Sequence, residues 1–184
     1  MIRDHYRALK QRILSEVPGL AFVDWFMAQY EPNEKGETWV WKTPAVYVEM
    51  LPLTWETLGS RVQRARLAFD VHLVNDSLFE NDSKIVDTAA VDHFDICSDL
   101  FKCLHAFRCN LSFLPDYAGL SGTNNDAVLL ESIVRTGMAT RHDLSILLVT
   151  VQSFECMVYD YTATPTWATV TAALNQTVEI VDSL

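Results

Sequence analysis

Between Val62 and Val74 the apolar residues Ala65, Leu67, Phe69, Val71 and Leu73 alternate with Arg64, Arg66, Asp70 and His72. This period of two predicts a long β-strand that buries one face and leaves the other polar. Pro44 to Met50 predicts a second strand just upstream, and Leu51 to Ser60 connects the two. An antiparallel pair with an enlarged tip is therefore expected, its apolar face in a core and its charged face and tip suited to touching another molecule.

The rest of the chain reads as an alternation of helices and strands. Ile2, Tyr6, Leu9 and Ile13 fall at helical spacing with Arg3, Arg7, Lys10 and Arg12 between them, and Val17-Pro18-Gly19 ends that first helix. Leu20 to Gln29 reads as a strand, and Tyr30 to Thr43 as a polar, acidic loop. Two aromatic residues in that loop, Trp39 and Trp41, either fold back on the sheet or contact a partner. Within Lys84 to Phe107, residues Ile85, Ala89, His93, Ile96, Leu100, Leu104 and Phe107 recur every three or four positions, which predicts a long second helix with Ser83 as candidate cap. Cys109 to Asn125 is irregular, and Leu129 to Ala139 and Leu144 to Tyr161 predict two more strands joined around His142-Asp143. This order predicts an α+β fold, a mainly antiparallel β-sheet with the two α-helices packed on one face. Residues 1–161 are expected to form a single domain, followed by a C-terminal arm, 162–184, whose pattern favours neither helix nor strand.

Composition narrows the class. A chain of 184 residues suffices for one domain that buries roughly 70% of its unfolded surface without a disulfide staple. With 49% hydrophobic and 21% charged residues it has the make-up of an ordinary globular protein. No apolar run approaches the roughly 18 residues of a membrane-spanning helix. The opening Met1-Ile2-Arg3-Asp4-His5-Tyr6-Arg7 has no secretory pattern, so a cytosol is the expected place of synthesis, with no membrane association. A net charge of −10 argues against a DNA-binding surface, because phosphate neutralisation supplies most non-specific affinity.

Candidate chemistry is sparse. Cys97, Cys103, Cys109 and Cys156 contain no Cys-x-x-Cys pair and read as reduced, buried small hydrophobes. His142-Asp143 is the nearest approach to an acid/base pair, but neighbours in a strand point to opposite faces. His93, Asp95 and Cys97 do not converge on a helix, and no phosphate-binding, nucleophile-elbow or zinc-protease motif is present. No catalytic residue, cofactor or metal site is expected from the sequence.

Several segments carry a resemblance: Met1-Ile2-Arg3-Asp4 through Arg7-Ala8-Leu9-Lys10, Val23-Asp24-Trp25, Pro44 to Glu49, Trp55-Glu56-Thr57-Leu58-Gly59 with Val62-Gln63-Arg64, and Ser153-Phe154-Glu155-Cys156. Over roughly residues 1 to 160 the chain resembles the tail terminator and tail-completion proteins of tailed bacteriophages and prophages. The resemblance implies a small tail-terminator-like α+β protomer, a structural part and not an enzyme. Such a protomer forms a hexameric ring, caps the finished tail tube and joins it to the head connector. The implied partners are other copies of the chain, the tail tube protein and the head connector protein, while DNA passes without specific binding. The implied location is the virion tail, assembled in the bacterial host cytoplasm. Tryptophan and arginine are frequent interface anchors. The expected contact residues are accordingly Trp55, Glu56, Leu58 and Arg61 at the tip, Arg64 and Arg66 on the outward strand face, and Trp39 and Trp41 in the acidic loop. A head-to-tail connector protein, a non-phage cytosolic adaptor or ligand-binding module, and an enzyme whose site is assembled from scattered residues remain as alternatives.

Overall fold

The computed structural model describes residues 2–37, 39–40, 42–58, 62–76, 87–116, 127–141 and 147–160. The C-terminal arm, Trp41, Arg61, Ser83 and His142-Asp143 lie outside the described residues. The elements are α1 (Ile2–Glu16), β1 (Phe22–Trp25), β2 (Ala45–Met50), β3 (Trp55–Thr57), β4 (Gln63–Asp76), α2 (Asp87–Leu104), β5 (Cys109–Asn110), β6 (Val128–Leu130), β7 (Val134–Arg141) and β8 (Leu147–Asp160). The fold is α+β, with two α-helices, a short 3-10 turn at Leu111–Phe113 and one eight-stranded mixed sheet among the described residues.

Two long strands form the centre of the sheet. β4 and β8 pair antiparallel along their whole length, Gln63↔Asp160 through Asp76↔Leu147. The alternation in β4 sets this up: Ala65, Leu67, Phe69, Val71 and Leu73 are all buried on one face, where each large side chain contributes about 1.5–3 kcal/mol. Directly across the ladder, Phe154 of β8 stacks on Phe69, with ring centroids 5.5 Å apart. β2 extends the sheet on the far side of β4, and β3 pairs β4 beyond it, closing the anticipated hairpin.

The strand before the acidic loop is shorter than its sequence suggests. It ends at Trp25 because Ala28 takes a left-handed conformation, φ 59°, and the Gln29 side chain bonds back to Trp25 O and Met27 N. β1 runs parallel to β2, Phe22↔Ala45 to Trp25↔Val48. The intervening residues act as the crossover that a parallel pair requires. This one parallel pair makes the sheet mixed, while the other strand pairs among the described residues run antiparallel.

Both helices cover the same face. Ala8, Leu9 and Ile13 of α1 and Cys97, Leu100, Cys103 and Leu104 of α2 share one buried cluster with the inward residues of β2, β4 and β8. Of the stripe that the spacing of α1 predicts, Leu9 and Ile13 are buried and Tyr6 packs against the core, whereas Ile2 is exposed and His5 is buried in addition. Tyr6 stands at the rim, edge-on to Trp25. Gly19, at φ 81°, makes the turn out of α1, a backbone conformation that costs glycine little.

The stretch read as one strand from Leu129 to Ala139 is two. Between β6 and β7, Ile133 turns away from the ladder: its N–H donates to Phe107 O, and its carbonyl accepts from Ala106 N. Its side chain is fully buried in the helix-side core.

Candidate functional site

The outer face of the sheet, opposite the helices, is where polar side chains gather. It is built from alternate residues of β4, namely Arg64, Arg66, Ala68, Asp70, His72 and Val74, whose β8 neighbours are Tyr159, Met157, Glu155, Ser153, Val151 and Val149. At the Val74 end, Phe26, Tyr30 and Val40 close over Tyr47, Val74, Leu147 and Val149 as a second apolar cluster. Toward Arg64 no such cover exists among the described residues, and Arg66 projects with 71% of its side chain exposed.

Where the covered half meets the open half, three metal-ligating side chain types converge. Glu49 lies directly opposite Asp70, and Tyr47 opposite His72, in the β2–β4 register. His72 is buried, its Nε2 3.1 Å from Glu49 Oε2 and its Nδ1 2.7 Å from the Tyr30 hydroxyl. Phe26 stacks on the imidazole at 4.3 Å and nearly parallel, which fixes the ring plane. One ligand atom each from Glu49, Asp70 and His72 lie within 4.8 Å of one another.

The electrostatics of this nest are unbalanced. Burial lowers the His72 pKa to about 4, so the imidazole is neutral near pH 7. Burial, then the charges of Asp70 and Glu31, raise the pKa of Glu49. Among the described residues no lysine or arginine forms an ion pair with Glu49 or Asp70; the nearby Arg141 pairs with Glu31 at 3.5 Å and lies over the Tyr30 ring. Glu49 keeps 37% of its side chain exposed, so the nest is open to solvent on that side.

The expected contact residues are spread along the sheet and do not converge on one point. Glu56 and Arg64 pair across the β3–β4 ladder at 3.1 Å, and Arg66 approaches Glu155 at 3.7 Å. Leu58 and Trp39 are exposed. Trp55 differs in kind: it packs against the helix-side core and faces the His5 ring at 6.4 Å, so it is partly a structural residue. Arg61 and Trp41 lie outside the described residues.

The helical trio weighed in the sequence is dispersed by the fold. His93 points into the core, its Nε2 2.9 Å from Thr150 Oγ1, Cys97 is buried, and Asp95 is exposed. The Glu49–Asp70–His72 nest escapes a search for local spacing because Glu49 comes from another strand. The available signal is the polar face of β4 combined with the β2–β4 register. No family model matches this chain, and no curated protein sequence matches it.

Proposed function

We propose that this chain is the protomer of a closed ring of about six copies that caps the completed tail tube of a tailed phage or prophage and joins it to the head connector. The observation that carries this reading is the set of strand edges and outward side chains left over once the helix-side core is complete. β7 pairs β8 along one edge, and along Val134 to Ala139 its other edge pairs no strand among the described residues. Val134 and Met138 on that strand are exposed, as is Leu58 beyond β3. A free edge with exposed apolar side chains favours pairing with another chain. In a cyclic assembly this edge on one copy meets the β3 side of the next, a head-to-tail contact that closes when the rotation permits.

The charge balance supports the same role. With 14 basic and 24 acidic residues the chain repels phosphate, as a ring through which DNA slides requires. The tail-terminator-like protomer and the assignment to the virion tail belong to this proposal, together with the absence of catalysis. Deleting the gene from the phage or prophage genome that carries it tests the role. Electron micrographs of the lysate should then show separated heads and tails, with tubes that overrun their normal length. Normal, fully joined particles would refute it.

A non-phage adaptor or ligand-binding module is the second reading. The solvent-open Glu49–Asp70–His72 nest is the observation that favours it.

A further inference from the structure

We propose that Glu49, Asp70 and His72 form a three-ligand site for a divalent transition-metal ion of the zinc class, with a fourth position open to solvent. The proposal is independent of the ring reading.

Three features of the nest point to a cation. The first is spacing. Two ligands about 2.0–2.1 Å from a tetrahedral zinc ion lie roughly 3.4 Å apart, and His72 Nε2 and Glu49 Oε2 already stand 3.1 Å apart. A carboxylate oxygen of Asp70 lies within 4.8 Å of both ligand atoms. The donor set, one imidazole nitrogen with two carboxylates, suits zinc and its neighbours; magnesium and calcium prefer oxygen alone.

The second feature is orientation. A metal-bound histidine needs its other nitrogen hydrogen-bonded so that the correct tautomer and ring plane are held. With an ion on Nε2 the proton moves to Nδ1, which would donate to the Tyr30 hydroxyl 2.7 Å away, and Phe26 holds the ring from its face. Tyr30 is itself 1% exposed and packed into the outer cluster, so this support is rigid.

The third is charge. Like charges placed directly across an antiparallel ladder destabilise it, yet Glu49 and Asp70 occupy such positions, and the nearby Arg141 is ion-paired with Glu31. A dication between them turns the repulsion into ligation. The partial exposure of Glu49 supplies the path by which an ion enters and a water completes the coordination.

The test uses the whole chain, freed of metal by a chelator, titrated calorimetrically with Zn²⁺ alone and followed spectroscopically with Co²⁺. We expect one equivalent to bind. Affinity should fall by roughly tenfold or more in Asp70→Asn and in Glu49→Gln, and by a smaller factor in Tyr30→Phe, which keeps the ring but loses its hydroxyl. Circular dichroism checks that each variant is folded. Should one fail to fold, the unaltered chain still decides, because bound Co²⁺ must then shift the NMR resonances of the His72 ring and show no thiolate charge-transfer band. The proposal is overturned by the absence of saturable binding. It is equally overturned by unchanged affinity in both carboxylate variants, or by a thiolate band that assigns the ion to the cysteines.

Discussion

Glu49 and Asp70 face each other across the β2–β4 ladder, and among the described residues neither is ion-paired to a lysine or arginine. In the presence of a chelator this opposition costs stability. Asp70→Asn should therefore raise the unfolding free energy by about 0.2–1 kcal/mol. Urea unfolding of the two proteins with excess chelator measures the difference, and a loss of stability in the variant would show that Asp70 has a favourable partner.

Buried histidines should make the protein sensitive to mild acid. Burial lowers His5 and His93 from the ordinary 6.5 to about 4. Between these values the unfolded chain binds protons that the native one refuses. The contribution of each to stability is thus complete above pH 6.5 and is lost progressively as the pH falls toward 4, on the order of 1–3 kcal/mol per histidine. His93→Gln, whose amide can still reach Thr150 but cannot titrate, should flatten the curve of stability against pH over this window. An unchanged slope would mean that His93 titrates normally.

The cysteines should be inert in the native state. All four are buried, and burial pushes Cys103, Cys109 and Cys156 up to about 12 and Cys97 upward as well, so little thiolate exists at pH 8. Alkylation followed by mass analysis should find all four unmodified until denaturant is added. Rapid modification of any one without denaturant would contradict its placement.

Ala106, just beyond α2, sits at φ 62°, where its N–H donates to Ile133 O. A side chain in that left-handed conformation costs roughly 1 kcal/mol, which glycine avoids. Ala106→Gly should accordingly stabilise the protein by up to about 1 kcal/mol, net of the greater freedom it gives the unfolded chain. A destabilised variant would place Ala106 in an ordinary conformation.

What could be read from the sequence was the part set by periodic burial. β4 is legible because one face of a period-two strand must enter the core, and α2 because its apolar residues return every three or four positions. The split between β6 and β7 is not. No glycine or proline marks it, and Ile133 leaves the ladder to satisfy Phe107 and Ala106, residues distant along the chain. The same holds for the end of α2, where alanine takes the position glycine usually signals. At the candidate sites, Arg64 and Arg66 could be placed on the outward face from alternation alone. Trp55 at the tip could not be seen to pack against the core, because its neighbour His5 comes from the first helix. Glu49 joins Asp70 and His72 only through the register of two strands, which local spacing does not encode.

Ring formation on the tail tube is the central claim, and native mass spectrometry of the chain mixed with purified tail tubes tests it most directly. Leu58→Asp and Val134→Asp serve as comparisons, since both side chains are about half exposed, at 48% and 47%, and carry little of the core. The expected result is a closed complex of about six copies on the tube end with the unaltered chain, and none with either variant. A one-to-one association, no association, or a ring that both substitutions leave intact would contradict it.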